Sequence, residues 1–235
     1  MKALLLSAGF GKRLLPYTKN TPKCLIKING ITILDYWIEK LSNLDISVIY
    51  INTHYLSEQV VDHIQKNYKD NKIILIHESS LMGTAGTLIR NHKHFINDNL
   101  LIIHTDTYIE EDLTEFILAH QARPKGSEVT MMTFSSNYPK LCGILEVDQK
   151  KRIIKFTEKP NNPSGNLANA AIYLLSKSFI SKIKNGDYFD FSNEIIPKYL
   201  KYFFTYHTNK FVMDIGNISN LKQIRNFHKH RNFKT

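Results

Sequence analysis

Ala3-Leu4-Leu5-Leu6-Ser7-Ala8-Gly9-Phe10-Gly11-Lys12-Arg13-Leu14-Leu15-Pro16-Tyr17-Thr18, followed after Lys19 by Asn20-Thr21-Pro22-Lys23, decides how this chain is read. An apolar run empties into a loop with two glycines and fixed positive charge, the pattern of a buried strand that ends at an anion. Glycine lets backbone N–H groups approach an anion with no Cβ in the way, and Arg13 and Lys23 add charge at the same mouth. Ser7, Ala8, Gly9, Gly11, Lys12 and Arg13 are therefore the candidate phosphate-binding residues. Two commoner glycine motifs fail here. A dinucleotide fingerprint wants a third glycine where Leu14 stands, and a P-loop closes on Gly-Lys-Ser/Thr, whereas Lys12 is followed by Arg13. A surface turn with chance basic residues would account for two glycines, but not for the ordered run of glycine, arginine, leucine, proline, threonine and then Pro-Lys.

Outward from this loop, short apolar runs alternate with helical patterns. Ala3 to Leu6, Val48 to Ile51, Ile73 to Ile76 and Leu100 to Ile103 are continuous and rich in Ile, Leu and Val, as in strands buried on both faces. Ile33, Leu34, Trp37, Ile38 and Leu41 share one helical face. Val60, Val61 and Ile64 share another behind a Ser57 cap, and Leu113, Phe116 and Ile117 a third. Strand, helix, strand in this rhythm predicts an α/β fold with a largely parallel sheet. Further on, Cys142 to Val147 and Arg152 to Thr157 flank Asp148-Gln149-Lys150-Lys151 as a hairpin. Asn169 to Leu175 reads as a strand and Asn193 to Leu200 as a helix.

A chain of 235 residues, 43% hydrophobic and 22% charged, can bury one sizeable core. The reading is a single domain over 1–235, with an N-terminal part about 1–125 and a C-terminal part about 126–235, which a resemblance to a known family makes nucleotide-binding and sugar-binding respectively. The apolar start is interrupted by Gly9, Gly11, Lys12 and Arg13, which is not a signal-peptide layout, and no run suits a membrane span; a cytoplasmic protein with no membrane partner is expected. Cys24 and Cys142 have no spacing that suggests zinc or a disulfide framework and read as small apolar fillers. The net charge of +10 raises nucleic acid as a partner, but the basic residues are spread along the chain. Lys222, Arg225, Lys229, His230, Arg231 and Lys234 read as a solvated helix face and tail. His54, His77, His104 and His120 lack ligand spacing and read as structural or exposed.

The opening string resembles the signature of the sugar-1-phosphate nucleotidyltransferases, which make nucleotide sugars from a nucleoside triphosphate and a sugar phosphate. The similarity recurs in order through Leu81 to Gly86, His104 to Asp106, Gly143, Glu158 to Pro160, Asn169 to Tyr173 and Asp214 to Gly216, nearly the whole chain. It implies a doubly wound, Rossmann-like mixed sheet, predominantly parallel, with helices on both faces and ligands beyond the carboxyl ends of the strands. It also implies catalytic roles for Arg13, Lys23, Asp106 and Asp214, the two acids holding Mg²⁺. An acid at the end of a buried strand, as Asp106 is, already asks for a cation or donor to answer it. Gly83, Thr84, Ala85 and Gly86 match the base-contacting segment, in a form similar to guanylyltransferases. Gly143, Glu158, Lys159 and Asn169 match the positions that hold the sugar and its phosphate.

Two departures stand out: Thr105 replaces a glycine before Asp106, and Ala171 replaces the glycine common after Asn169, where one methyl would narrow a sugar pocket. The implied partners are a nucleoside triphosphate and a sugar 1-phosphate, GTP with mannose or heptose 1-phosphate for a surface glycan, with a homo-oligomer left open. Uridylyl or cytidylyl transfer, a phosphocholine acceptor, and a silent nucleotide-sugar-binding regulator are the alternatives. The chain ends soon after Asp214, so no appended catalytic domain is expected.

Overall fold

The computed structural model describes residues 1–69 and 72–231. In chain order the strands and helices begin with β1 (Lys2–Leu6), β2 (Lys27–Ile28), β3 (Ile31–Thr32), α1 (Ile33–Ser42), β4 (Val48–Thr53), α2 (Ser57–Asn67) and β5 (Ile73–His77). Then come α3 (Gly83–Arg90), β6 (Leu100–His104), β7 (Thr107–Ile109), α4 (Leu113–Gln121), β8 (Val129–Ser135), β9 (Gly143–Val147) and β10 (Ile153–Glu158). The chain continues through β11 (Leu167–Leu175), α5 (Lys177–Ile183), α6 (Ile196–Tyr199), β12 (Phe203–His207), β13 (Val212–Asp214) and α7 (Ile218–Arg231). Among the described residues nine of these strands form a mixed central sheet with helices, the α/β class that the apolar runs predict, while β2 with β3 and β7 with β13 form two small two-stranded sheets.

The chain divides into two compact units, each assembled from separate segments. The loop unit comprises Ala3–Leu81, His104–Ile109 and Phe211–Thr235; the sheet unit comprises Met1–Lys2, Met82–Ile103 and Glu110–Lys210. A boundary near residue 125 does not coincide with either, because Met82–Ile103 folds into the sheet unit and the segment bearing Asp214 into the loop unit.

In the loop unit the strands run β1, β4, β5, with β4 and β5 parallel. Their side chains are apolar on both faces: Ala3, Leu4, Leu5 and Ile51 are fully buried. Helix α1 starts at a Thr32 cap whose hydroxyl accepts from Asp35 N at 3.0 Å, and it buries Ile33, Leu34, Trp37, Ile38 and Leu41, the face predicted from their spacing. Trp37 also donates Nε1–H to Thr107 O at 2.9 Å, fixing the strand that follows Asp106. Helix α2 departs from expectation. Its cap is Leu56 in the left-handed region, with no side-chain bond, and Ser57 is the first helical residue. What secures α2 is a polar link: Asp35 Oδ1 accepts from Tyr68 Oη and pairs with His63 Nε2, both at 2.7 Å.

In the sheet unit the order is β10, β9, β11, β6, with β8 beside β11 and β12 beside β8. β8 and β12 are parallel, while β11 runs antiparallel to β6, β8 and β9. The expected hairpin is present as β9 and β10, joined through Asp148 to Lys151. Cys24 is buried, which pushes its thiol up to about 12, and burial holds the His120 ring down at about 3, both in keeping with structural roles. Among the described residues no helix is long and apolar enough to cross a membrane.

Trp37→Ala is expected to cost about 3–5 kcal/mol in urea unfolding at neutral pH, the range for a large aromatic deleted from a packed core. A loss under about 1 kcal/mol would show that the Trp37 site collapses around the deletion.

Candidate active site

In the loop unit, strand β1 ends at Leu6 and the backbone turns at once. Ser7 N donates to Asn52 Oδ1 at 2.6 Å, and Asn52 Nδ2 donates to Glu78 Oε1 at 2.8 Å. Asn52 and Glu78 are buried, at 3% and 0% exposure, so this polar chain is a fixed support for the start of the loop. The sequence reading did not find them; the available signal was a polar residue at the carboxyl end of an apolar strand. Thr105 belongs to the same support. Its N–H and its hydroxyl both donate to Leu6 O, at 3.2 and 2.9 Å, and Ser7 Oγ donates to Thr105 Oγ1 at 3.3 Å. A glycine could make only the first of these, so Thr105 tightens the junction rather than disturbing it.

The two loop glycines have different reasons to be glycine. Gly11 has φ +63°, and a Cβ there would lie 2.7 Å from the Thr18 methyl. Thr18 Oγ1 donates back to Gly11 O at 2.9 Å, and Tyr55 Oη donates to Thr18 O and Lys19 O. Gly9 is exposed, and a Cβ on it would meet nothing within 4 Å. The fold makes no demand for glycine at residue 9.

Lys23 begins a short turn and sends Nζ to Asp106 Oδ2 at 2.5 Å, with both side chains mostly covered. Burial pushes the Asp106 carboxyl up, but the charges of Lys23 and His104, the Lys23 hydrogen bond and the charge of Arg13 outweigh it and hold the group at about 2. Asp214 is brought beside Asp106 by the β7 and β13 ladder: Asp214 pairs with Thr107, and Ile215 N donates to Asp106 O at 2.6 Å. Asn220 Nδ2 donates to Asp214 Oδ1 at 2.5 Å, orienting the carboxylate. A Cβ on Gly216 would lie 2.3 Å from Asp214 Oδ2 and 3.0 Å from Arg13 Nη2, so the glycine is what lets acid and guanidinium converge. Arg13, Lys23, Asp106 and Asp214 are thus gathered in one unit. Among the described residues no cluster of three or more His, Cys, Asp or Glu could hold a metal. Asp106, in the turn between β6 and β7, and Asp214, at the end of β13, are nonetheless carboxylates of the kind that suits Mg²⁺, which commonly takes one or two acids and completes its octahedron with water and phosphate oxygens.

The remaining predicted residues belong to the sheet unit. Gly83 starts α3 at φ +73°, where a Cβ would strike Phe189 O at 2.2 Å. Ala85 N and Gly86 N donate to that same carbonyl, at 3.0 and 3.5 Å, and Thr84 Oγ1 accepts from Phe191 N at 2.8 Å. The donors of Ala85 and Gly86 are therefore taken by the chain itself. Glu158 pairs with Gly143 across β9 and β10, and a Cβ on Gly143 would sit 2.7 Å from its carboxylate. Lys159 Nζ lies 3.3 Å from Glu158 Oε1. Asn169 donates Nδ2–H to Tyr173 Oη at 2.6 Å and accepts Ala171 N at 2.9 Å. Ala168 pairs with Ile144, which sets Asn169 and Gly143 on adjacent strands. Ala171 itself has φ +56°, at a point where β11 and β8 change register. A glycine at this position, which the resemblance leads one to expect, would take this backbone angle without strain, whereas this chain holds an alanine there in the left-handed region.

The model of the nucleotidyl transferase family matches residues 2–231. The chain belongs to this family. It is 31% identical over 201 residues to a Sulfolobus acidocaldarius protein provisionally named mannose-1-phosphate guanyltransferase, covering 85% of this chain and 54% of that one. It is 36% identical over 184 residues to the bifunctional protein GlmU of Methanocaldococcus jannaschii, covering 78% and 42% respectively. The chain therefore spans about half the length of these relatives or less. Among solved structures, HddC from Yersinia pseudotuberculosis superposes with a TM-score of 0.81 at 24% identity, covering 97% of this chain and 99% of HddC, a match of fold.

Asp106 carries a pH signature. A carboxyl whose folded value lies below its unfolded one stabilises the fold above about pH 4, and this contribution drains away as pH falls towards about 2. The stability difference between the unaltered protein and Asp106→Asn, measured by urea unfolding, is expected to shrink by about 1 kcal/mol between about pH 7 and about pH 3. A constant difference would mean that the cations do not hold this acid. Ala171→Gly, by releasing a left-handed alanine, is expected to raise stability by about 1 kcal/mol in the same assay.

Proposed function

We propose that this chain joins a nucleoside triphosphate to a sugar 1-phosphate, giving a nucleoside diphosphate sugar and pyrophosphate. The observation that carries the reading is the facing arrangement in the loop unit, with Arg13 and Lys23 set against Asp106 and Asp214. Two anions must meet, so their repulsion is the main obstacle. The attacking phosphate oxygen is already ionised at neutral pH, and no side chain has to accept a proton. A bond forms from that oxygen to the α-phosphorus as the bond to the departing pyrophosphate oxygen breaks, and the electron pair leaves with pyrophosphate. Catalysis then rests on position and charge.

Each residue has a part that its geometry supports. Ser7 and Ala8, buried at the strand end, set the loop's start, and Gly9 opens the backbone to the triphosphate. Gly11 turns the chain so that Lys12 and Arg13 project beside the leaving phosphates. Lys23 places its ammonium at the α-phosphoryl group. Asp106 and Asp214 would hold Mg²⁺, which neutralises phosphate charge when bound. In the sheet unit, Glu158 and Asn169 would take sugar hydroxyls, with Lys159 on the sugar's phosphate and Gly143 leaving room for Glu158. Base reading falls to Gly83 and Thr84, because Phe189 O occupies the N–H groups of Ala85 and Gly86.

GTP with mannose or heptose 1-phosphate is the substrate pair we favour, serving surface glycan synthesis in the cytoplasm. The Gly83-Thr84-Ala85-Gly86 form supports guanine, as do the guanyltransferase name of the Sulfolobus relative and a structure of HddC complexed with GMP-PN.

Pyrophosphate release over a matrix of four nucleoside triphosphates and several sugar 1-phosphates, mannose and heptose included, tests the proposal. Release is expected with GTP and one of these sugars, and no release with any pair would end it. Lys23→Ala is expected to lower turnover by about two orders of magnitude or more with an unchanged far-UV dichroism spectrum; near-normal turnover would remove Lys23 from the reaction. Gly9→Ala is expected to fold as before and bind the triphosphate at least about tenfold more weakly, since only a ligand asks for glycine there.

A further inference from the structure

The loop unit carries a second concentration of positive charge. The hairpin of β2 and β3 turns through Asn29 and Gly30, both at positive φ, as a two-residue turn of this kind requires. Beside it runs α7, anchored by the fully buried Leu221 and Ile224 and by a stack of Phe227 on Phe211 at 4.1 Å. Hairpin and helix border an open concavity of about 500 Å³ lined by Lys27, Asn29, Gly30, Lys222, Arg225 and Asn226.

Among the described residues its lining contains three cations and no acid. Arg225 is fixed in place: Nε and Nη2 both donate to Lys27 O, at 3.3 and 2.9 Å, and its guanidinium lies over the Tyr17 ring at 5.5 Å. Among the described residues no carboxylate pairs with Lys27, Lys222 or Arg225. Three like charges around one hollow repel one another, and an anion seated among them would relieve that repulsion. The two asparagine amides add neutral donors, and Gly30 brings bare backbone to the rim. Pre-set guanidinium, paired ammonium groups and amides are the donor set of a phosphate-binding surface, for which a single carboxylate offers too little charge. The sequence reading placed Lys222 and Arg225 on a solvated helix face; the structure puts both on this concavity. The side chains of Lys229, His230 and Arg231, and all of Lys234, lie outside the described residues.

We propose that the hollow between the 27–32 hairpin and α7 is a binding site for a multiply charged phosphate anion, separate from the loop that carries Arg13 and Lys23. Pyrophosphate is the probe, used in metal-free buffer with equilibrium dialysis. If both this proposal and the transfer reaction hold, the unaltered chain binds two pyrophosphates. Lys27→Ala/Lys222→Ala then loses one, its affinity falling at least about tenfold and its residual binding less sensitive to salt. Arg13→Ala/Lys23→Ala loses the other and keeps the hollow's. Unchanged stoichiometry and affinity in Lys27→Ala/Lys222→Ala overturn the inference while leaving the proposed reaction standing. One site that survives Arg13→Ala/Lys23→Ala but disappears in Lys27→Ala/Lys222→Ala supports the inference and counts against the assigned phosphate loop.

Discussion

An ammonium 2.5 Å from a mostly covered carboxylate is the constraint around which the loop unit is built. Lys23 and Asp106 each answer the other's charge there: removing one partner leaves the other less compensated, although the charges of His104 and Arg13 also act on Asp106. The fold therefore spends much of its detail on holding the pair. Asp106 follows the end of β6, its backbone carbonyl tied to Ile215 N, while Trp37 ties Thr107 O to α1. Lys23 begins a turn whose Leu25 and Ile26 amides close on Pro22 and Lys23 carbonyls. Arg13 and Asp214 extend the pair into a charge-alternating group, and Gly216 is the small residue that lets them approach.

Much of this was legible in the letters, for a physical reason. Strands buried on both faces must be apolar on both faces, so Ala3 to Leu6, Val48 to Ile51 and Leu100 to Ile103 announce themselves without alternation. The helix α1 face is equally plain, because five apolar residues at helical spacing have nowhere else to go. Less legible were β8, β12 and β13. Val129-Thr130-Met131-Met132-Thr133 mixes hydroxyls into a buried strand, and Val212-Met213-Asp214 is too short to show a period at all. Ser57 looked like a cap by residue type, but Leu56 takes that place in the left-handed region, a choice that tertiary packing makes and propensity does not.

The site was legible where charge and glycine coincide and illegible where support is indirect. Arg13, Lys23, Asp106 and Asp214 each carry a charge that needs an answer, and a signature that orders them. Asn52 and Glu78 carry no motif. Their importance comes from a hydrogen-bond chain that exists only once β4 and the residues after β5 lie side by side. The segment Gly83 to Gly86 shows the opposite case. Its small residues suggested open backbone for a ligand, and two of its four amides turn out to be held by Phe189 O.

Glycine separates these cases better than any other residue, because its absence of a side chain has three distinguishable causes here. Gly11 and Gly83 combine positive φ with a neighbour that a Cβ would strike, so the fold alone accounts for them. Gly143 and Gly216 have ordinary backbone angles but neighbours where the Cβ would be, the Phe156 ring and the Glu158 carboxylate at Gly143 and the Asp214 carboxylate at Gly216, so they make room for those side chains. Gly9 has neither constraint. Gly165 shares this freedom, so what sets Gly9 apart is its place beside Arg13 in the loop after a buried strand, where bare backbone is open to what approaches from outside. That is the strongest local argument that the opening loop faces a ligand. It also explains why Ala171 can replace a glycine at some cost in strain: at φ +56° the demand there is conformational, and an alanine can meet it, whereas a contact from outside would have excluded the methyl.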